Sequence, residues 1–222
     1  GVKKDLPVIV YIHGGSNKAG WSYEPNYLGH NIARQDFILI SIPYRLGIFG
    51  FFSHPEVESP NLALFDQLIA LEWIQKYIAF FGGDPSNITL IGESAGAGGI
   101  SHLIASPLSK NLFHKAIHQS GGSSFTYPTL RSQAEALAYQ FSKSFEDTSI
   151  KNLRSISADK ILEVSENVFA GHYFNYVIDG FSIKQSLSEA YENGNIQNVD
   201  LIIGSNNDCL LYTSDAADET ER

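Results

Sequence analysis

The residues with the clearest chemistry are Gly92-Glu93-Ser94-Ala95-Gly96. A serine between glycines, entered from a strand and left into a helix, sits on a tight turn that lifts its hydroxyl clear of a sheet, where it can attack a carbonyl. The apolar run Asn87-Ile88-Thr89-Leu90-Ile91 follows the turn residues Gly82-Gly83-Asp84-Pro85-Ser86 and predicts a buried strand. The small apolar residues 97–105, stopped by Ser106-Pro107, predict the helix. Gly92 and Gly96 would let strand and helix pass closely without Cβ clashes. A bare Gly-x-Ser-x-Gly pattern arises by chance in roughly one chain in ten or twenty at ordinary residue usage, so the strand–turn–helix context carries the assignment of Ser94 as nucleophile. Glu93 adjoins it, but adjacent residues on a turn point in different directions, which argues against a general-base role.

Attack on an acyl carbonyl puts negative charge on oxygen, and backbone N–H groups must be aimed at it. Pro7-Val8-Ile9-Val10-Tyr11-Ile12 is an unbroken apolar strand running into His13-Gly14-Gly15-Ser16, and glycines let the chain approach a substrate closely. Gly14, Gly15 and Ser16, with Ala95 directly after the nucleophile, are the candidate oxyanion donors. Alone, His13-Gly14-Gly15 reads better as an ordinary strand-end turn. Ser94 downstream favours the functional reading.

Together these segments resemble the type-B carboxylesterases, the α/β-hydrolase family that includes cholinesterases and bacterial carboxylesterases. The resemblance continues through Ile42-Pro43-Tyr44-Arg45-Leu46-Gly47, Asn61-Leu62-Ala63-Leu64-Phe65-Asp66-Gln67, Leu112-Phe113-His114-Lys115-Ala116-Ile117 and Gln119-Ser120-Gly121. It extends to Leu201-Ile202-Ile203-Gly204-Ser205-Asn206-Asn207-Asp208, covering nearly all of residues 1–208, and looks closest to bacterial members through residues 13–17 and 20–27. It implies an α/β-hydrolase fold with a mostly parallel central sheet flanked by helices, incomplete here. It also implies hydrolysis of a small-molecule carboxylic ester through an acyl-serine, with no metal or organic cofactor. Ser16 stands where the family usually has a third glycine, which leaves its backbone N–H available. By the same resemblance Glu93 is structural, and Arg45 and Asp66 are buried charges supporting the site. A non-catalytic cholinesterase-like binding or adhesion protein is the alternative from another class; an intact Ser94 argues against it. A related serine hydrolase acting on thioesters, lactones or peptides shares the same motifs.

The α/β-hydrolase order runs serine, acid, histidine. The resemblance implies a glutamate directly after Asp208 and a histidine well beyond Arg222, but Asp208 is followed by Cys209. Cys209-Leu210-Leu211-Tyr212-Thr213-Ser214-Asp215-Ala216-Ala217-Asp218 translates TGT CTC TTA TAC ACA TCT GAC GCT GCC GAC, one frame of a transposase-type sequencing adapter. Residues 1–208 are therefore expected to be a partial hydrolase domain and residues 209–222 a non-native tail; a genuine acidic tail is the alternative. On this reading the activity belongs to the complete parent protein, and the fragment itself is inactive. With no methionine even at position 1, the true N-terminus is expected upstream, so localisation stays open, secretion or the periplasm included.

The net charge is −9, of which Asp215, Asp218, Glu219 and Glu221 against Arg222 contribute −3, leaving −6 for residues 1–208. Either value, without a basic patch, disfavours nucleic acid as a partner, and none is expected. A hydrophobic fraction of 43% with 11 Tyr and 14 Phe supplies a globular core. No apolar run approaches the roughly 18 residues of a membrane span. Cys209 is the one cysteine, so residues 1–208 hold no disulfide or thiolate metal site. His54, His102, His114, His118 and His172 lack metal-ligand spacing and are expected in ordinary hydrogen bonding; no metal site is expected. His114 and His118 are four apart, but their segment predicts a strand, where they would not converge.

Strands are expected at 7–13, 37–44, 88–91, 115–119 and 199–204, alternating with helices at 63–80, where Leu64, Leu68, Leu71, Ile74 and Ile78 have helical spacing, and at 130–145. That alternation predicts one domain with a parallel sheet covered on both faces. Residues 149–198 look less regular and, by resemblance, border the substrate gorge. The oligomeric state is open.

Overall fold

The computed structural model describes residues 4–25, 28–125 and 128–206. Asp208 and the adapter-like stretch lie outside the described residues, as do Asn26 and Tyr27. The strands among the described residues are β1 Leu6–Ile12, β2 Ile38–Ile42, β3 Gly83–Glu93, β4 Lys115–Gln119, β5 Thr129–Leu130, β6 Val177–Ile178 and β7 Asp200–Gly204. Five of them form a parallel sheet in the order β2-β1-β3-β4-β7, and β5 pairs with β6 as a separate parallel ribbon. The helices are α1 His30–Ala33, α2 Gly47–Phe51, α3 Leu62–Tyr77, α4 Ala95–Ala105, α5 Arg131–Ser142, α6 Ile150–Leu153, α7 Ala158–Val168 and α8 Leu187–Glu192.

All five expected sheet strands are present. Val8, Val10 and Ile12 of β1 are wholly buried, as an interior parallel strand with both neighbours paired requires. Parallel strands need crossovers: α3 lies between β2 and β3 in the chain, and α4 between the neighbours β3 and β4. α3 buries Leu64, Leu68, Leu71 and Ile74 on one stripe, the spacing that predicts it. It stops at Tyr77 rather than residue 80, because the chain tightens into a 3-10 turn, Ile78–Phe81, closed by Gly82 at φ 89°. Glycine takes that left-handed closing position without Cβ strain.

Two segments differ from expectation. Residues 82–86, expected as a turn, lie largely inside β3 as an irregularity: the register to β1 jumps from Leu6↔Gly83 to Val8↔Ile88. The extra residues fold around Asp84, whose carboxylate accepts from Ser86 N at 2.8 Å and Ser86 Oγ at 2.6 Å. Residues 149–198, expected as irregular, contain α6, α7 and α8. Ser149, Ser157 and Ser186 accept from the N–H groups of Asn152, Lys160 and Glu189, so each helix begins at a serine cap that offsets an otherwise unpaired donor.

Candidate active site

Ser94 links β3 to α4 at φ 53°, ψ −121°, outside the regions that L-residues favour. Such a conformation costs about 1–3 kcal/mol and persists only where its surroundings over-determine it. Here they do. Ser94 N donates to Gln119 O of β4 at 2.8 Å, and Ser94 O accepts from Gly98 N at 3.0 Å in the first turn of α4. The glycines on either side are demanded by packing: a Cβ on Gly92 would sit 2.7 Å from the Gly96 carbonyl carbon, and one on Gly96 would collide with the carbonyls of Ile12 and His13. The start of α4 therefore lies directly on the end of β1, which brings the chain after His13 beside Ser94.

Gly14 makes that contact. A Cβ there would be 3.3 Å from Ser94 Cβ and 2.7 Å from Glu93 O. The chain then turns through Gly15 at φ 105°, Ser16 at φ 56° and Asn17 at φ 58°, while Gly15 O accepts from both Lys18 N and Ala19 N at 3.0 Å. Ser16 thus takes up the left-handed conformation that a glycine would adopt freely. Ala95 opens α4, so its N–H belongs to the first turn, whose donors have no intrahelical acceptor and where the helix dipole is positive. Gly14 and Ser94 are therefore in contact, with Ala95 directly after Ser94 at the start of α4. Among the described residues, no side chain hydrogen-bonds the Ser94 hydroxyl.

Residues without an assigned role in the sequence hold this turn. Tyr44 Oη donates to His13 O at 2.8 Å and its ring stacks on the His13 imidazole at 4.5 Å. Burial, with a smaller contribution from Tyr176, pushes the Tyr44 phenol far above its ordinary value, so it remains a neutral donor. Asn17 Nδ2 donates to Phe174 O at 2.7 Å, and Asn17 O accepts from Gly47 N at 2.7 Å. Tyr44 lay in a recognised motif, whereas nothing local singled out Asn17. Glu93 has its carboxyl against Gly14, and burial raises its pKa.

Arg45 and Asp66 form a forked pair, Nε–Oδ2 and Nη2–Oδ1 both at 2.7 Å. Their side chains are 47% and 22% exposed, so they are not the buried charges expected. Arg45 keeps its outer face in water while its backbone N–H and guanidinium pin the chain ahead of α2 to α3. The hydrogen bonds to Asp66 raise the Arg45 pKa.

The histidines are dispersed. His54 Nε2 meets Thr148 O, His114 Nδ1 accepts from Ile88 N, and His102 Nδ1 donates to Gly98 O. Among the described residues, no group of three His, Cys, Asp or Glu side chains is placed to hold a metal ion. A cavity of about 790 Å³, lined by Ile104, Phe113, Lys184 and Val199 among others, is at the far end of α4. Ten residues of helix put it about 15 Å from Ser94, so its size says nothing about the serine.

Comparison with known proteins identifies the family and the fold. The family model described as "Carboxylesterase family" matches residues 1–221. The para-nitrobenzyl esterase of Bacillus subtilis (strain 168) is 36% identical over 227 residues, covering 96% of this chain and 46% of that protein. The fumonisin B1 esterase of Sphingopyxis macrogoltabida is 32% identical over 220 residues, covering 93% of this chain and 40% of its own length. In three dimensions the Geobacillus stearothermophilus carboxylesterase EST55 superposes with a TM-score of 0.87 at 32% identity, over 98% of this chain and 47% of that one. The chain spans less than half the length of these relatives. Its parallel sheet flanked by helices is a partial α/β-hydrolase fold, and the chain belongs to the carboxylesterase family.

Proposed function

We propose that the complete protein hydrolyses carboxylic esters of small molecules, with Ser94 as the nucleophile. The observation that carries this is the strained turn at Ser94, set at the head of α4 and against Gly14. Ser94 Oγ attacks the ester carbonyl carbon and its proton passes to a histidine from outside this chain. The carbonyl oxygen becomes an oxyanion facing the N–H groups of Gly15, Ser16 and Ala95. The carbonyl re-forms as the bond to the alcohol oxygen breaks, and the alcohol leaves with the histidine's proton. Water then attacks the acyl-serine by the same route, releasing the acid and restoring the hydroxyl.

Short-acyl aryl esters are the substrates to assay first. In the complete protein, Ser94→Ala is expected to lower kcat by about 10³-fold or more while substrate binding is largely kept, because only the transition state uses the nucleophile. Near wild-type turnover would sink the assignment. The 222-residue chain, with residues 209–222 as a non-native tail, lacks the acid and base and should react with a fluorophosphonate probe no faster than ordinary serines do. Rapid stoichiometric labelling at Ser94 would overturn that part.

A further inference from the structure

The cavity at the far end of α4 has a volume of about 790 Å³, within the range of about 300–1,000 Å³ that takes a small molecule. Hydrogen bonds fix its walls. Gln197 N donates to Ile104 O at 2.9 Å, while Gln197 Nε2 donates to Leu103 O at 3.1 Å and to Ser109 Oγ at 2.6 Å. Ser106 Oγ donates to Ser182 O at 2.8 Å. The end of α4, the 3-10 turn Pro107–Ser109 and the chain entering β7 are thereby held to one another, so the space is formed before any ligand arrives.

Its wall combines two kinds of surface. Ala105, Pro107, Ile196 and Val199 border it, and each is at least partly open to solvent. Lys110 and Lys184 border it too, both exposed, and among the described residues neither ammonium group has an ion-pair or hydrogen-bond partner. No Asp or Glu lines the cavity, although the chain carries 24 acidic residues against 15 Lys and Arg. On a chain of net charge −9, an anion needs such a local exception. Each ammonium sits on a flexible four-carbon stem and can swing over the opening. A small inorganic anion would leave the apolar wall unused, and an uncharged hydrocarbon would leave the two ammonium groups unused.

We propose that this cavity binds an amphipathic organic carboxylate, with its charge on Lys110 and Lys184 and its aliphatic or aryl body against Ala105, Pro107, Ile196 and Val199. The site lies about 15 Å from Ser94 along α4. It is therefore separate from the serine and does not depend on the esterase proposal.

Methyl NMR titrations of the 222-residue chain with octanoate, 1-octanol and inorganic phosphate test this. Octanoate should shift the Ile196 and Val199 methyl resonances saturably, with an affinity roughly tenfold above that for 1-octanol, and phosphate should leave them unmoved. Reversing both charges, Lys110→Glu with Lys184→Glu, alters only exposed positions; it should weaken octanoate by roughly tenfold or more and leave 1-octanol unchanged. No saturable shift, equal affinity for octanoate and 1-octanol, phosphate binding as tightly as octanoate, or an octanoate site that survives the double reversal overturns the proposal. So does a complete parent protein in which octanoate no longer moves these methyls, because the rest of its chain would then fill the cavity. Ester turnover is not read, so failure here is separate from failure of the esterase proposal.

Discussion

Asn61 and Val177, 116 positions apart, are joined by a reciprocal pair of hydrogen bonds: Val177 N donates to Asn61 Oδ1 and Asn61 Nδ2 donates to Val177 O, both at 2.8 Å. The carboxamide thereby pairs with β6 as a neighbouring strand residue would. Asn61 Nδ2 also lies 3.0 Å from Ser182 Oγ and 3.3 Å from Asp179 Oδ2. Gln67, two turns along α3, donates to Tyr176 Oη at 3.0 Å. The front of α3 thus organises the 176–182 segment, including Tyr176.

Asn61→Asp should therefore be more damaging than Asn61→Ala. Alanine removes the pairing and leaves the Val177 N–H and C=O buried, costing about 2–3 kcal/mol. Aspartate further places a buried charge against Asp179 and the Val177 carbonyl and should cost more than about 3 kcal/mol. Urea unfolding midpoints of the two variants measure this; the reverse order would show that the reciprocal pair does not hold the segment.

At Gly96 two effects oppose each other, and magnitude decides. Alanine in a helix favours stability over glycine by about 1 kcal/mol. Here its Cβ would overlap the Ile12 and His13 carbonyls, and overpacking against backbone typically costs about 1–3 kcal/mol, occasionally more. Gly96→Ala should be clearly destabilised, whereas Gly122→Ala, with open space around its position, should be near neutral. Equal thermal midpoints for both would refute the close approach of α4 to β1.

His102 should make the fold acid-sensitive. Burial lowers its pKa to about 4, partly offset by the hydrogen bond to Gly98. The folded value lies below the unfolded one near 6.5, so the unfolded chain binds the proton first. Stability is therefore fully present above pH 6.5 and falls as pH drops toward 4, by a total of about 3 kcal/mol. His102→Gln keeps a donor for Gly98 and should flatten that limb in unfolding curves taken between these pH values. An unchanged slope would assign the acid loss elsewhere.

His118 is a site where the chain is less stable than it could be. It is buried on β4 against Ala97 and Gly121, with Phe125 edge-on at 6.4 Å. Neither ring nitrogen has a hydrogen-bond partner among the described residues. Burial lowers its pKa, offset a little by its own main chain, which does not reach hydrogen-bond geometry. His118→Leu replaces two unpaired polar atoms with apolar surface and should raise stability by about 1 kcal/mol at neutral pH. A drop in the thermal midpoint would mean that the imidazole has a partner after all.

The sequence by itself determined the parts whose causes are local. The apolar run at Val8-Ile9-Val10 and the stripe of Leu64, Leu68, Leu71 and Ile74 specify a buried strand and a helix through periodicity. Gly92-Glu93-Ser94-Ala95-Gly96 marks a strand–turn–helix because a sharp turn needs residues without bulk beside it. The serine caps of α6 to α8 were equally local, Ser186 with Glu189 spells a capping box, and α7 is amphipathic at the helical period, so these helices too were legible in the residues beneath their polar composition. Only the tertiary structure decided which atoms meet across the crossovers. That Gly96 abuts the end of β1, that Tyr44 holds the His13 carbonyl, and that Asn61 pairs with Val177 depend on how α3 and α4 pack over the sheet. The partial exposure of Arg45 and Asp66 was likewise out of reach, because burial is a property of everything packed around a residue rather than of its type.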